Sequence, residues 1–329
     1  MATPVEPVEG QVVAFRRFAV RGSIFVTVLL LGCAALLSVP APANDFLQAI
    51  QDKERVLSAA PSPRTVLVGG SSTAFGFNSA ALAAATGRSV VNMGVHAGLG
   101  LDFMLRSVED SLRAGDLVIV SPEYELFDKS LRNNTVLYQI LPYMQSPDTY
   151  LHSVAERVEY RLQLRVQRMQ RIVAHLMKRM VGRTTAPDMY RRASFSALGD
   201  FWLPDSTRSV LDTNRYIGPP KPAEVPDEST VRRLSTFADK ASQRGASVVL
   251  LYPPLVSPAY ARDSANIAGL QQALEKTLRP AVTIAGTPQD FVWPAEYFFD
   301  TEYHLNPRGR DRRTSQLIQF LQSQRLANP

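Results

Sequence analysis

Val66-Leu67-Val68-Gly69-Gly70-Ser71-Ser72-Thr73 is a β-rich apolar run that breaks abruptly into small residues. A short apolar strand bounded by turn signals suits a strand buried in a parallel sheet. The glycines permit a tight turn that bulkier residues would block. A helix starting at this turn would present free N–H groups and a partial positive charge at the carboxyl edge of the sheet. A Ser hydroxyl placed there has donors at hand for the anionic transition state of nucleophilic attack. The alternative is an ordinary strand–helix turn with Ser as its N-cap. A phosphate-binding loop does not fit, because no Gly-Lys-Ser/Thr follows.

Outward from this run the same alternation repeats. Strands are predicted at Thr65–Val68, Ser89–Met93, Asp116–Val120, Ser247–Tyr252 and, weakly, Ala281–Ile284. Helices are predicted at Leu101–Ala114, Ser229–Arg244 (Ser229 as N-cap, Gly245 as stop), Ile267–Leu278 and Asn306–Leu326. Alternating strands and helices imply an α/β fold with a parallel sheet covered on both faces.

Residues 128–228 interrupt the alternation and read as a helical insertion between the third and fourth strands. A long helix is predicted over 151–181, with Val154, Val158, Leu162, Val166, Met169, Val173, Leu176 and Met180 at helical spacing. Arg157, Arg161, Arg165 and Arg168 form a stripe on another face. Over 151–183, eight Lys and Arg stand against Glu156 and Glu159, which accounts for the whole net charge of +6. The remainder is neutral, so a general nucleic-acid binder is disfavoured. The stripe fits a solvated face, anionic lipid headgroups, or an anionic polymer or protein partner.

The amino terminus faces a membrane. Residues 22–40 carry no charge over 19 positions, close to the roughly 20 needed to cross a bilayer. Arg16, Arg17 and Arg21 precede the run and no Lys or Arg follows until Lys53. The positive-inside bias then keeps 1–21 cytoplasmic and exports the rest. Three readings compete: an uncleaved anchor, a signal peptide cut after Ala43 in Ala41-Pro42-Ala43, and a lipoprotein at Cys33. Residues 41–63 read as a short polar helix and linker before a domain over 64–329.

Composition excludes other classes. Of 329 residues 45% are hydrophobic and 20% charged, which permits a packed core. With one Cys and four His, neither an internal disulfide nor a zinc site is expected, and no metal or organic cofactor is called for.

The second chemistry-bearing stretch is Phe299-Asp300-Thr301-Glu302-Tyr303-His304-Leu305-Asn306-Pro307. A His before a terminal helix serves as general base, and an Asp folding back in a turn holds its tautomer and stabilises its cation. Asn306 followed by Pro307 is a good helix start; a capping turn with an exposed His is the alternative. In a doubly wound sheet this stretch and the Ser turn both fall at the carboxyl edge, where ligands bind.

These motifs resemble the SGNH (GDSL-like) hydrolase family. Gly70-Ser71-Ser72 resembles its first block, with Ser72 at the nucleophile position, and Asn92 to Gly98 resembles its second. The resemblance implies an oxyanion-hole N–H from Gly98, with Gly94 second. Asp300 and His304 resemble the last block. It covers about half the chain and implies a three-layer α/β/α sandwich with a flavodoxin-like sheet. Among membrane-anchored members it is similar to D-alanyl transfer proteins and polysaccharide O-acetyltransferase-related proteins. The chain departs from the pattern in three places. Ser71 replaces the first-block Asp. Asp300 lies four residues before His304 instead of three, which makes Glu302 a rival orienter. Glu123 stands where the third block has an oxyanion-donating Asn; an ionised carboxylate only accepts hydrogen bonds. Glu123 and Glu125 follow a strand and are expected near the pocket.

The resulting expectation is a serine-dependent esterase or O-acyltransferase, with Ser72, His304 and Asp300 as its triad. It would act on acyl groups of a cell-envelope polysaccharide or related polymer. It would sit in a bacterial inner membrane by one span, its domain on the periplasmic or extracytoplasmic side, with a possible membrane-protein partner. The alternatives are a non-catalytic binding or assembly protein on the same scaffold and a lipid-active enzyme.

Overall fold

Five short apolar runs become the strands of one parallel sheet in the computed structural model of the chain. Residues 8–38, 45–128, 134–144, 146–180, 189–213, 218, 222–278 and 282–326 are described. The strands are β1 (Arg64–Val68), β2 (Ser89–Asn92), β3 (Leu117–Val120), β4 (Ser247–Leu251) and, after a two-residue strand β5 (Leu255–Val256), β6 (Thr283–Ala285). Their order is β2-β1-β3-β4-β6, all parallel; β5 pairs separately with β7 (Val292–Trp293). In register, Val66 lies between Val91 and Val118. All residues of β1 and β3 are buried, as expected for strands covered on both faces.

Ten helices are described: α1 (Val8–Ser38), α2 (Asp45–Ala59), α3 (Ser71–Ala74), α4 (Ser79–Thr86), α5 (Leu101–Glu109), α6 (Asn134–Ile140), α7 (Val154–Met180), α8 (Glu228–Gln243), α9 (Ser257–Leu278) and α10 (Pro307–Ser323). The strand order reverses direction after β2, so right-handed crossovers send α4 to one face and α5, α8 and α9 to the other. The contacts agree: α5 packs on α8 and α8 on α9, while α4 packs on α10. The result is a three-layer α/β/α arrangement with the flavodoxin-like strand order.

Several boundaries differ from the sequence reading. Helix α8 is capped by Asp227 rather than Ser229: the Asp227 carboxylate accepts from the Ser229 and Thr230 N–H groups. Helix α9 begins ten residues earlier than expected. Helix α5 stops at Glu109, five residues short. Residue 281 of the fifth predicted strand lies outside the described residues.

The chain divides into two compact units, one from Asn44–His152 and Asp188–Pro329, the other from Met1–Ala43 and Ser153–Pro187. The first contains the sheet. It also contains α2, which lies in the expected linker and buries Phe46, Leu47, Ala49, Ile50 and Leu57. The segment read as one insertion is therefore shared: α6 and residues 189–213 belong with the sheet, and α7 with α1. Residues 189–203 are knitted to the sheet edge, since Asn92 N–H donates to Leu198 O and Phe201 N–H to Ala74 O.

Helix α1 is long and apolar enough to cross a membrane over Val12–Ala35. That stretch starts before the charge-free run and includes Arg16, Arg17 and Arg21. The cleavage motif at 41–43, Arg183, and the side chains of Lys178 and Arg179 lie outside the described residues.

Candidate active site

The β1–α3 turn is built by close approach of backbone and carboxylate. A Cβ on Gly70 would lie 2.5 Å from both Glu123 carboxylate oxygens and 2.7 Å from the Ala97 Cα, so only glycine fits. A Cβ on Gly94 would lie 2.7 Å from Gly70 O. Glu123 accepts from Ser72 N–H at 2.8 Å and from Gly70 N–H at 3.2 Å. The carboxylate thus holds the two N–H groups that flank Ser71.

Ser72, the expected nucleophile, is turned into the core at this turn. Its Oγ is fully buried and has no hydrogen-bond partner, and Ser72 is 0% exposed. No hydrogen bond joins it to His304 among the described residues. Ser71, the first residue of α3, is half-buried. Among the described residues, neither its hydroxyl nor its N–H has a hydrogen-bond partner. The residue that starts the helix keeps partial exposure, and the next is buried.

Gly98, the expected oxyanion donor, has its N–H engaged within its own loop. His96 caps the short helical turn Ala97–Leu99, and its Nδ1 accepts from Gly98 N–H at 2.9 Å. Gly94 N–H is likewise used, by the Asn92 side-chain oxygen at 3.0 Å. Among the described residues the N–H groups of Val95, His96 and Ala97 have no hydrogen-bond partner, and of these three residues it is Ala97 whose Cα packs against Gly70.

The loop before α10 is a tight hairpin. Phe298 and Leu305 form an antiparallel bridge, and Phe299 N–H donates to His304 O at 2.7 Å. Thr301 Oγ1 accepts from the Tyr303 and His304 N–H groups. The hairpin absorbs the extra residue between Asp300 and His304 and brings His304 Nδ1 to 2.9 Å from Asp300 Oδ1. Asp300, not Glu302, is therefore the partner of the imidazole. Burial acts to raise the Asp300 pKa, but its hydrogen bond with His304, the His304 charge and the Tyr190 hydroxyl outweigh this and hold it below the usual value. Burial raises Glu302. His96 is lowered, first by burial and then by the His304 charge.

Three contributors escaped sequence reasoning. Tyr190, from the aperiodic end of the insertion, donates its hydroxyl to Asp300 Oδ2 and lies 3.2 Å from His304 Nδ1. No local pattern signals it. Phe75 stacks on the His304 ring, centroids 4.1 Å apart and planes 2° apart. Its N–H donates to Ser71 O at 3.0 Å, so the imidazole rests on the same short helix that Ser71 starts. Arg313, fully buried in α10, donates to Ser72 O at 3.1 Å and to Ser121 Oγ at 2.6 Å. Burial lowers its pKa to about 9, against the opposing pull of Glu123. Its spacing with Leu317 and Leu321, on the buried face of α10, was the available signal.

Glu125 accepts from the Tyr303 hydroxyl at 2.7 Å, and burial pushes its pKa up to about 8. A cavity of about 350 Å³ lies beside the Ala97–Leu99 turn, lined by Leu99, Phe103, Tyr150, His152 and Arg233 among others; neither Ser71 nor His304 lines it. No group of three or more His, Cys, Asp or Glu fit to hold a metal occurs among the described residues.

Fold and site together define a doubly wound α/β protein with an Asp–His pair and a helix-starting Ser at the carboxyl edge of the sheet. No known protein family and no curated protein matches the chain. Among solved structures it is similar to protein YxiM of Bacillus subtilis, at 11% identity and a TM-score of 0.34, over 79% of this chain and 56% of that one. The chain thus spans little more than half the length of that protein.

Proposed function

We propose that the protein is a serine-dependent esterase or O-acyltransferase acting on acyl groups of a cell-envelope polysaccharide or related polymer. The observation that carries this reading is the Asp300–His304 pair, its Nδ1 engaged and its ring stacked on the helix that Ser71 begins. With Nδ1 held by Asp300, Nε2 is the nitrogen left to act as base. His304 Nε2 takes the Ser71 proton as Ser71 Oγ bonds to the ester carbonyl carbon. The free N–H groups of Ser71 and Ala97 stabilise the oxyanion. The alkoxide leaves with the proton from His304, and an acyl-enzyme remains. Water or a sugar hydroxyl then attacks the acyl carbon, giving its proton to His304 and restoring Ser71. Asp300 steadies the imidazolium throughout.

The membrane assignment rests on α1. We infer from Arg16, Arg17 and Arg21 at its amino-terminal side that residues 44–329 lie outside the cytoplasm of a bacterial inner membrane. A carboxyl-terminal reporter active only in the cytoplasm should be silent; activity would overturn this topology.

The test of the chemistry is labelling of the full chain with a fluorophosphonate probe and mapping of the modified peptide. Modification at Ser71 supports the reading. A second reading is favoured by one observation: the Glu123 carboxylate sits on the N–H groups beside Ser71, where it would repel an oxyanion. In that reading the scaffold binds or assembles polymer without turnover, and folded protein takes up no probe.

A further inference from the structure

Helix α7 is exposed on the side that chemistry would hide. Val154, Val158, Leu162, Val166, Val173 and Met177 are all exposed, whereas Ile172 is buried. At about 100° per residue these exposed side chains fall within about 140° of arc. Arg157, Arg161, Arg165 and Arg168, all exposed, run along one edge of that arc. An apolar stripe edged by arginines is the pattern of a helix lying in the headgroup layer of a membrane, its apolar side turned to the acyl chains.

Two further observations select a bilayer over water or a protein groove. Helix α7 packs against α1, the membrane-length helix, within one compact unit. The second is topological. The chain enters α7 from the sheet unit at His152 and rejoins it at Asp188. A 27-residue helix is about 40 Å long, enough to cross a bilayer. A single crossing would leave the two halves of the sheet unit on opposite sides of the membrane. Helix α7 therefore lies along the bilayer, not through it.

We propose that α7 is an interfacial membrane helix. Its apolar stripe enters the surface of the bilayer that α1 crosses, and its arginines bind anionic lipid headgroups. The proposal rests on the reading of α1 as a membrane anchor.

The test uses the full chain in a Cys33→Ser background, reconstituted into phosphatidylcholine bilayers with or without phosphatidylglycerol. An environment-sensitive fluorophore is placed by Leu162→Cys on the stripe, by Ala174→Cys about 60° outside it, or by Leu29→Cys in α1. Doxyl-labelled lipid is the quencher. The expected result is quenching by about twofold or more at Leu162 and at Leu29, with little at Ala174. Phosphatidylglycerol should strengthen quenching at Leu162, and replacing the four arginines by Gln should abolish that gain while leaving Leu29 unchanged. Quenching at Leu29 but not at Leu162 overturns the proposal and leaves the anchor standing. Absence of quenching at both overturns the anchor as well. A blue shift at Leu162 that doxyl lipid does not quench means that protein covers the stripe, which also overturns the proposal.

Discussion

The two ends of the candidate site are held in different ways. In the hairpin at 298–305, side chains converge: Asp300 engages His304, Tyr190 engages both, and Phe75 supports the ring. In the turn at 69–74 the chain is held through its backbone. Glu123 takes the N–H groups of Gly70 and Ser72, and Arg313 takes the carbonyl of Ser72. His304 is fixed by what touches its side chain, while Ser71 is positioned by clamping its neighbours and leaving its own hydroxyl free. A residue placed by its neighbours cannot be identified by its own contacts.

The sharpest way to break this comparison is to exchange the two serines. Ser71→Ala should lower kcat/KM for an acyl ester by about 10³-fold or more, because the covalent step is lost. Ser72→Ala should keep most activity and should not lower the melting temperature, since it removes a buried hydroxyl that has no partner. Steady-state kinetics and thermal unfolding of the pair decide it; loss of turnover only in Ser72→Ala would reverse the assignment.

A smaller effect is expected at the clamp. Glu123→Ala leaves the Gly70 and Ser72 N–H groups without acceptors in a buried site, at a cost of about 1–3 kcal/mol for an unsatisfied group. Urea unfolding should show that loss, together with reduced turnover as the turn loosens. Unchanged stability would mean that the clamp is dispensable.

At the hairpin, Tyr190→Phe removes one hydrogen bond to Asp300 but leaves the Asp300–His304 contact. We expect kcat to fall by about tenfold or more, in keeping with one hydrogen bond to a charged carboxylate, with KM little changed. A loss as large as that of His304→Ala would show that the tyrosine, rather than Asp300, holds the ring.

The smallest effect concerns pH. Glu125 has a folded pKa of about 8 against an ordinary 4.5, so the folded state holds its proton more tightly. Its stabilising contribution is complete below pH 4.5 and is lost as pH rises towards 8. Lys53 behaves oppositely: burial lowers it from 10.5 to about 7, so its contribution is complete above 10.5 and lost as pH falls through 7. Glu125→Gln should therefore flatten the decline in urea midpoint between pH 4.5 and 8 and leave the trend above 8 unaltered. An unchanged slope would count against the buried, protonated carboxyl.

The strands were legible because parallel sheet buries both faces and writes itself as short apolar runs such as Val66–Val68 and Leu117–Val120. The start of α10 was legible because Asn306 and Pro307 solve a local problem of helix ends. Helix α2 was underestimated because a 15-residue helix with Lys53, Arg55 and Glu54 reads as polar. Lys53 is nonetheless buried, its ammonium donating to Asn92 O and Gly199 O, contacts lying 39 and 146 residues away.

By itself, the sequence determined the alternation of strands and helices, the glycine turn that ends β1, and the Asp–His loop before the last helix. All of these are set by neighbours within a few residues. Tertiary structure alone decided which serine faces outward, that the Gly98 N–H is spent on His96, that Glu123 clamps the turn, and that Tyr190 joins the Asp–His pair. Each of those outcomes depends on which groups reach one another across the fold and satisfy each other's hydrogen bonds once water is excluded, and no local pattern carries that information.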